Sequence, residues 1–181
     1  MKILIAGDIH GSAYYCEKLL ELEKRLAPDK IVLTGDILYH GPRNDLPKDY
    51  APKRVIEMLC PLSEKILCVR GNCEAEVDQM VLDFPCLAEY MLLCDGGKTY
   101  FITHGHIYNK ERIPKGVKDC VLVNGHTHVP AFEKCDGFIY INPGSVSIPK
   151  ENSENSCVLL ENGKATFYTV NGQPYRQEII D

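Results

Sequence analysis

A chain of 181 residues, 45% apolar and 25% charged, has enough material for one domain with its own core and needs no staple to fold. Its net charge of −5 disfavours nucleic-acid backbone as the main partner, because such binding rests on clustered Lys and Arg. No apolar stretch approaches the roughly 18 residues of a membrane span, and the apolar run in "MKILIAGDIHG" is too short for a signal peptide.

In chain order, the first predicted element is a strand over 2–6, "KILIA". A helix over 12–26 follows, with Ser12 as N-cap, apolar residues at 15, 19, 22 and 26, and Pro28 limiting its far end. Strand 30–34, "KIVLT", leads into a long polar loop, 38–51. Loops of that length in a compact domain are usually functional or disordered. Helix 52–60, strand 65–69 and helix 74–82 complete a βαβαβα half, which predicts right-handed crossovers and a largely parallel sheet. Beyond it, strands are predicted at 99–103, 120–124, 138–142, 156–160 and 165–170. "ENGK" at 161–164 joins the last two as a hairpin. This half predicts a second or mixed sheet, and no linker divides the chain, so residues 1–181 read as a single domain.

Nine cysteines lie at 16, 60, 68, 73, 86, 94, 120, 135 and 157. Their odd count, scattered spacing and lack of any C-x-x-C pair fit neither a disulfide framework nor a zinc ribbon. Buried thiols in a reducing compartment are expected, and a cytoplasmic protein with them.

The residues that follow the strands carry the chemistry. "KILIA" is followed by Asp8 and His10, "KIVLT" by Asp36, "KILCV" by Asn72, "TYFIT" by His104 and His106, and "CVLVN" by His126 and His128. A single Asp or Asn in a glycine turn is ordinarily a turn residue. Five successive strand ends that carry Asp, Asn or His are a different matter, because α/β sheets bind ligands beyond the carboxyl ends of their strands. In extended backbone the D-x-H and H-x-H spacings place paired side chains on one face. Seven donors, Asp8, His10, Asp36, Asn72, His104, His126 and His128, exceed the four to six that one ion takes. Two ions sharing one carboxylate satisfy the count, and such pairs recur in phosphate-ester hydrolysis.

The series "GDIHG", "GD", "GNCE", "THGH" and "GHTH" resembles the calcineurin-like metallophosphoesterase superfamily, over residues 2 to about 149. The loop "HGPRNDLP" and the run "VRGNCEAEVDQM" are similar to its YfcE-type phosphodiesterase subgroup. The resemblance implies an α/β fold, a four-layer α-β-β-α sandwich of two mixed sheets. It places Asp8, His10, Asp36 and His128 on one ion, and Asp36, Asn72, His104 and His126 on the other. Where many members carry a histidine after the GN asparagine, this chain has Cys73. The thiol can give a proton but offers no imidazolium charge. Cys73 and His106 are therefore the candidate catalytic acids, with Cys73 as a mere turn residue the alternative.

The expected activity is hydrolysis of small phosphodiesters by a hydroxide held between two divalent ions. Two dications and two aspartates leave +2, which hydroxide and a diester monoanion balance. A monoester dianion would need further cations, for which Arg43 and Arg70 are candidates. His40 and Arg43, in the long loop, are the candidate substrate contacts. The donor set suits Mn²⁺, Fe²⁺, Zn²⁺, Co²⁺ or Ni²⁺ better than Ca²⁺, and the family resemblance implies Mn²⁺ among them. The rival readings are a non-catalytic protein-binding scaffold of the same fold, and a phosphomonoesterase or nuclease of the superfamily. The partner expected is a small-molecule phosphodiester, with no membrane; oligomeric state stays open.

Overall fold

The computed structural model describes residues 1–180. Among the described residues, eleven strands form two mixed sheets. The first has the order β11-β10-β9-β1-β2-β3 and the second β4-β5-β6-β8-β7. In the first, β1 (Ile3–Ala6), β2 (Lys30–Leu33) and β3 (Ile66–Cys68) run parallel, while β9 (Ser156–Glu161), β10 (Lys164–Thr169) and β11 (Pro174–Ile179) add antiparallel strands beside β1. In the second, β5 (Lys98–Thr103), β6 (Cys120–Val123) and β8 (Phe138–Asn142) run parallel. The antiparallel strands β4 (Tyr90–Asp95) and β7 (Ala131–Cys135) form its edges.

Strands β1 and β6 are buried at every position, which is why they read as unbroken Ile, Leu and Val runs. Alternate residues serve different layers. Leu4, Ala6, Ile31 and Leu33 pack against α1 (Ala13–Leu26) and α2 (Pro52–Leu59), through Cys16, Leu19, Leu22, Val55 and Leu59. Ile3, Ile5 and Val32 face Ile102, Val121, Val123 and Ile141 of the second sheet. On the far face of that sheet lie Phe101, Leu122 and Tyr140, covered by Tyr108, Ile113 and Val117. The sandwich of two mixed sheets is as expected, with one difference: its last layer is the irregular segment 104–119 in place of helices. That segment contains Pro114 and Gly116, which interrupt helical hydrogen bonding.

Local signals account for the element ends. Ser12 accepts the Tyr15 N–H at the start of α1, Lys24 and Arg25 occupy its last turn, and Ala27 closes it in a left-handed conformation. Pro52 opens α2. At Asn162 and Gly163 both φ angles are positive, as a two-residue hairpin turn between β9 and β10 requires. The helix predicted over 74–82 shrinks to one turn, α3 (Glu76–Gln79), because Glu74 turns inward to bind backbone. The loop 38–51 is tied to the start of α1 by bonds from Ser12 Oγ to the Lys48 carbonyl and from Ala51 N–H to the Gly11 carbonyl.

Candidate metal centre

Every strand end expected to bear a donor opens onto one site. The D-x-H and H-x-H segments, however, are not extended. Asp8, His10, Asp36, His126 and His128 all have φ between 50° and 68°, in the left-handed region that side chains avoid at a cost of about 1–3 kcal/mol each. After β1, β2 and β6 the side chains converge because the chain coils tightly past the strand end, not because strand alternation continues. Neighbouring turns hold this geometry in place. Asp8, His10 and Gly11 N–H groups bond the carbonyls of Gly35, Asp36 and Ile37. The hydroxyls of Ser145 and Ser147 both donate to the Asp8 carbonyl, at 2.8 and 3.0 Å. Asn142 Nδ2 donates to the Gly125 carbonyl and to Thr127 Oγ1, each at 2.9 Å. Gly125 admits no side chain, since a Cβ there would meet Asp8 Oδ2.

Two donor groups result, and Asp36 belongs to both. In the first, His128 Nε2 lies 3.2 Å and His10 Nε2 3.7 Å from Asp8 Oδ1, and the two imidazole nitrogens are 3.3 Å apart. In the second, His104 Nε2 lies 3.1 Å from both Asn72 Oδ1 and His126 Nδ1. Asp36 Oδ2 stands 3.8 Å from His10 Nε2 and 3.5 Å from His104 Nε2. All seven residues anticipated as ligands are thus gathered at one site.

The chemistry of this set fits cations. His10 Nδ1 donates to the Tyr39 carbonyl, His104 Nδ1 to that of Thr34 and His128 Nδ1 to that of Ile148, at 2.8, 2.7 and 2.6 Å. Each bond fixes the tautomer that leaves a lone pair on Nε2, directed at the site. Burial lowers the pKa of His10 and takes His126 down to about 4, so both are neutral imidazoles ready to coordinate. Lone pairs and carboxylate oxygens packed at 3.1–3.8 Å repel one another unless positive charge lies among them. Asp8 Oδ1 is buried with no hydrogen-bond partner, an acceptor that a cation would satisfy. Burial would raise the Asp8 carboxyl, but the adjacent His128 and the other surrounding histidines hold it below the ordinary range.

The remaining candidates separate. Cys73 touches the centre: its N–H donates to Asp36 Oδ1 at 2.9 Å and its thiol to Asp36 Oδ2 at 3.3 Å. Burial, then the Asp36 charge, pushes that thiol well above its usual range, so it is a protonated S–H. His106 packs on the rings of His104 and His126, with centroids 5.3 and 6.2 Å away. Burial, then His104, lowers its pKa. Arg43 lines the cleft over the centre, a cavity of about 630 Å³. The His40 ring instead packs edge-on between Tyr39 and Tyr50, and its carbonyl receives Asn44 Nδ2, which organises the loop. Arg70 N–H bonds the Ala88 carbonyl, and its side chain is not among the cleft-lining groups.

Three contributors escaped the sequence reading. Thr127 and Lys150 line the cleft, and the Lys150 N–H bonds the His128 carbonyl. Glu74, only 4% exposed, accepts the N–H groups of Asp36, Ile37 and Gly71 at 2.8, 2.7 and 2.5 Å. Burial, then Asp36, raises its pKa to about 7, against the pull of those three bonds. A cation directly after "INPGSVSIP" was a usable signal for Lys150, and the closing Glu of "GNCE" marked Glu74 without giving its role as a brace.

Comparison with known proteins agrees with this geometry. The family model for the calcineurin-like phosphoesterase superfamily domain matches residues 1–164. Phosphodiesterase YfcE of Escherichia coli strain K12 is 43% identical over 173 residues, 96% of this chain and 94% of that protein. The probable metallophosphoesterase YsnB of Bacillus subtilis is 28% identical over 179 residues, 93% of this chain and 90% of that one. The solved structure of E. coli YfcE, described as a phosphoesterase, superposes with a TM-score of 0.96 over the whole of both chains at 41% identity. Vps29 of Entamoeba histolytica in complex with Zn²⁺ shares the fold at a TM-score of 0.65 and 20% identity, each chain fully covered. On the family match, the strand-end donor turns and the two-sheet fold together, the chain belongs to the calcineurin-like phosphoesterase superfamily.

Proposed function

We propose that this chain is a hydrolase of small phosphodiesters that works with two divalent ions, Mn²⁺ foremost, at the strand-end cluster. The observation that carries the reading is Asp36 Oδ2, placed 3.8 and 3.5 Å from histidines of two separate donor groups. Asp8, His10, Asp36 and His128 would hold one ion; Asp36, Asn72, His104 and His126 the other. When bound, such ions withdraw charge from phosphoryl oxygens and acidify water. The 43% identity to a protein named a phosphodiesterase supports the substrate class.

The chain's own groups do the rest. Asp36 and Asp8 offset the ionic charge. Arg43 and Lys150, on the cleft wall, orient a phosphate by charge-assisted hydrogen bonds. Cys73 keeps a proton on sulfur beside Asp36, within the cleft where an alkoxide would depart, and His106 is the second candidate acid. Arg43 and Lys150 also supply the positive charge that a monoester dianion needs, which makes monoester hydrolysis the second reading. The scaffold reading loses ground because all seven donors are present and assembled. Nine free thiols and the absence, among the described residues, of a helix long and apolar enough to cross a membrane fit a single domain acting in the cytoplasm.

The test is a comparison of bis(p-nitrophenyl) phosphate with p-nitrophenyl phosphate under Mn²⁺. Faster diester turnover, lost in Asp36→Asn, is the expected result. A faster monoester overturns the diester assignment, and turnover unaffected by Asp36→Asn overturns the metal centre.

A further inference from the structure

We infer that Asn142, the residue that ends β8, is a positioning residue: it holds His126 and His128 in place against Asp8, so that one buried side chain serves both donor groups. The inference rests on the metal centre read above. Asn142 is fully buried and is not among the groups that line the cleft, so it acts through the ligands and not on substrate.

Hydrogen-bond chemistry fixes how the amide is turned. The Gly144 N–H can only donate, and it reaches Asn142 Oδ1 at 2.8 Å. The Gly125 carbonyl can only accept, and it faces Asn142 Nδ2 at 2.9 Å. That NH₂ group also donates to Thr127 Oγ1 at 2.9 Å, with Tyr140 Oη standing 3.0 Å away as a third acceptor. Among side chains of this size, only asparagine offers two donors and an acceptor together. Asn124 Nδ2 reaches the same Gly125 carbonyl at 3.0 Å, but Asn124 directly precedes the turn and moves with it. Asn142 holds the turn from a different strand.

The two gripped residues alternate with the two ligands. Asn142 holds Gly125 and Thr127, and the imidazoles belong to His126 and His128. Both histidines have positive φ, 68° and 63°, and such backbone persists only where its surroundings over-determine it. Between the two grips, the His126 N–H donates to Asp8 Oδ2 at 3.1 Å. Past Gly144, the hydroxyls of Ser145 and Ser147 donate to the Asp8 carbonyl. Asn142 thus ties the turn after β6 to the turn after β8, and both of these turns hold Asp8. A slip of the first turn displaces His126 from one donor group and His128 from the other, so the two ions share one brace.

Two variants test this. Asn142→Asp keeps the volume and the acceptor for Gly144 but loses both donors, and Asn142→Ala loses all three bonds. Gln79→Ala is the control for a general loss of stability, since Gln79 braces Leu82, Phe84 and Cys86 and no ligand segment. Calorimetric titration of the metal-free proteins with Mn²⁺, well below Tm, should show both ions weakened about tenfold or more in the Asn142 variants and within about twofold of wild type in the control. Before metal is added, the imidazole nitrogen NMR signals of His126 and His128 should move in both Asn142 variants while those of His40 stay. Gln79→Ala should move neither. Wild-type affinity in both Asn142 variants, a loss at one ion alone, an equal loss in the control, or unmoved His126 and His128 signals overturns the inference. If the wild type binds no Mn²⁺ and those two signals still move, the metal reading fails and the brace stands.

Discussion

Asp36 concentrates more of the site's demands than any other side chain. Its Oδ2 faces histidines from both donor groups, its Oδ1 accepts the Cys73 N–H, and its own N–H is held by Glu74. Asp36→Asn removes the charge while keeping the shape. We expect Mn²⁺ binding to weaken by about 10²-fold or more, measured by titration without substrate. Cys73 presents a narrower question. Its S–H is directed at Asp36 rather than ionised, and a thiol is a poor donor to a departing alkoxide. Cys73→His should therefore raise turnover of alkyl diesters more than that of nitrophenyl diesters, flattening the dependence of log kcat on leaving-group pKa. An unaltered slope would assign Cys73 to the turn alone.

The turns are the elements that decide the site, and Glu74 is the brace between two of them. Its carboxylate ties the turn after β2 to the turn after β3 through three buried N–H groups. Gly71 belongs to the same junction, where a Cβ would collide with Asp36. Glu74→Ala leaves those donors without acceptors, at about 1–3 kcal/mol each. A fall in Tm of about 10 °C or more should follow. Glu74→Gln keeps one acceptor oxygen and turns an NH₂ toward a donor, so a smaller loss is expected. Equal Tm values for wild type and Glu74→Ala in thermal melts would show that water replaces the carboxylate. Among strands, those that sequence pattern missed are β4, β7 and β11, and all three lie at sheet edges. An edge strand is half solvated and keeps polar residues such as those of "AFEKC" and "PYRQEI", so its apolar signal is diluted. The eight strands that were legible are the ones shared between packed layers, plus β3.

At the scale of the whole molecule, folding assembles mutually repelling acceptors from positions 8 to 128, and a cation should repay that assembly. Mn²⁺ at about 100 times its Kd is expected to add about 2.7 kcal/mol of stability, a rise in Tm of roughly 5–10 °C for a chain of this size. Chelation should reverse the rise, and Asp36→Asn should abolish it. Identical melting with and without Mn²⁺ would mean that the cluster is not a cation site, whatever the activity assays report.

The residues by themselves determined the inner strands, the two leading helices, and the seven candidate donors, because buried runs and strand-end Asp, Asn and His are local patterns. Tertiary structure alone decided the rest. It coiled the ligand segments into left-handed turns, which spacing had suggested were extended. It turned His40 into the loop's own packing and brought Lys150 to the cleft. It also made Glu74 a brace between turns that lie 38 residues apart along the chain for its Asp36 partner. Such roles depend on which backbone groups meet after the sheets have stacked, and a side chain's type does not encode its distant neighbours.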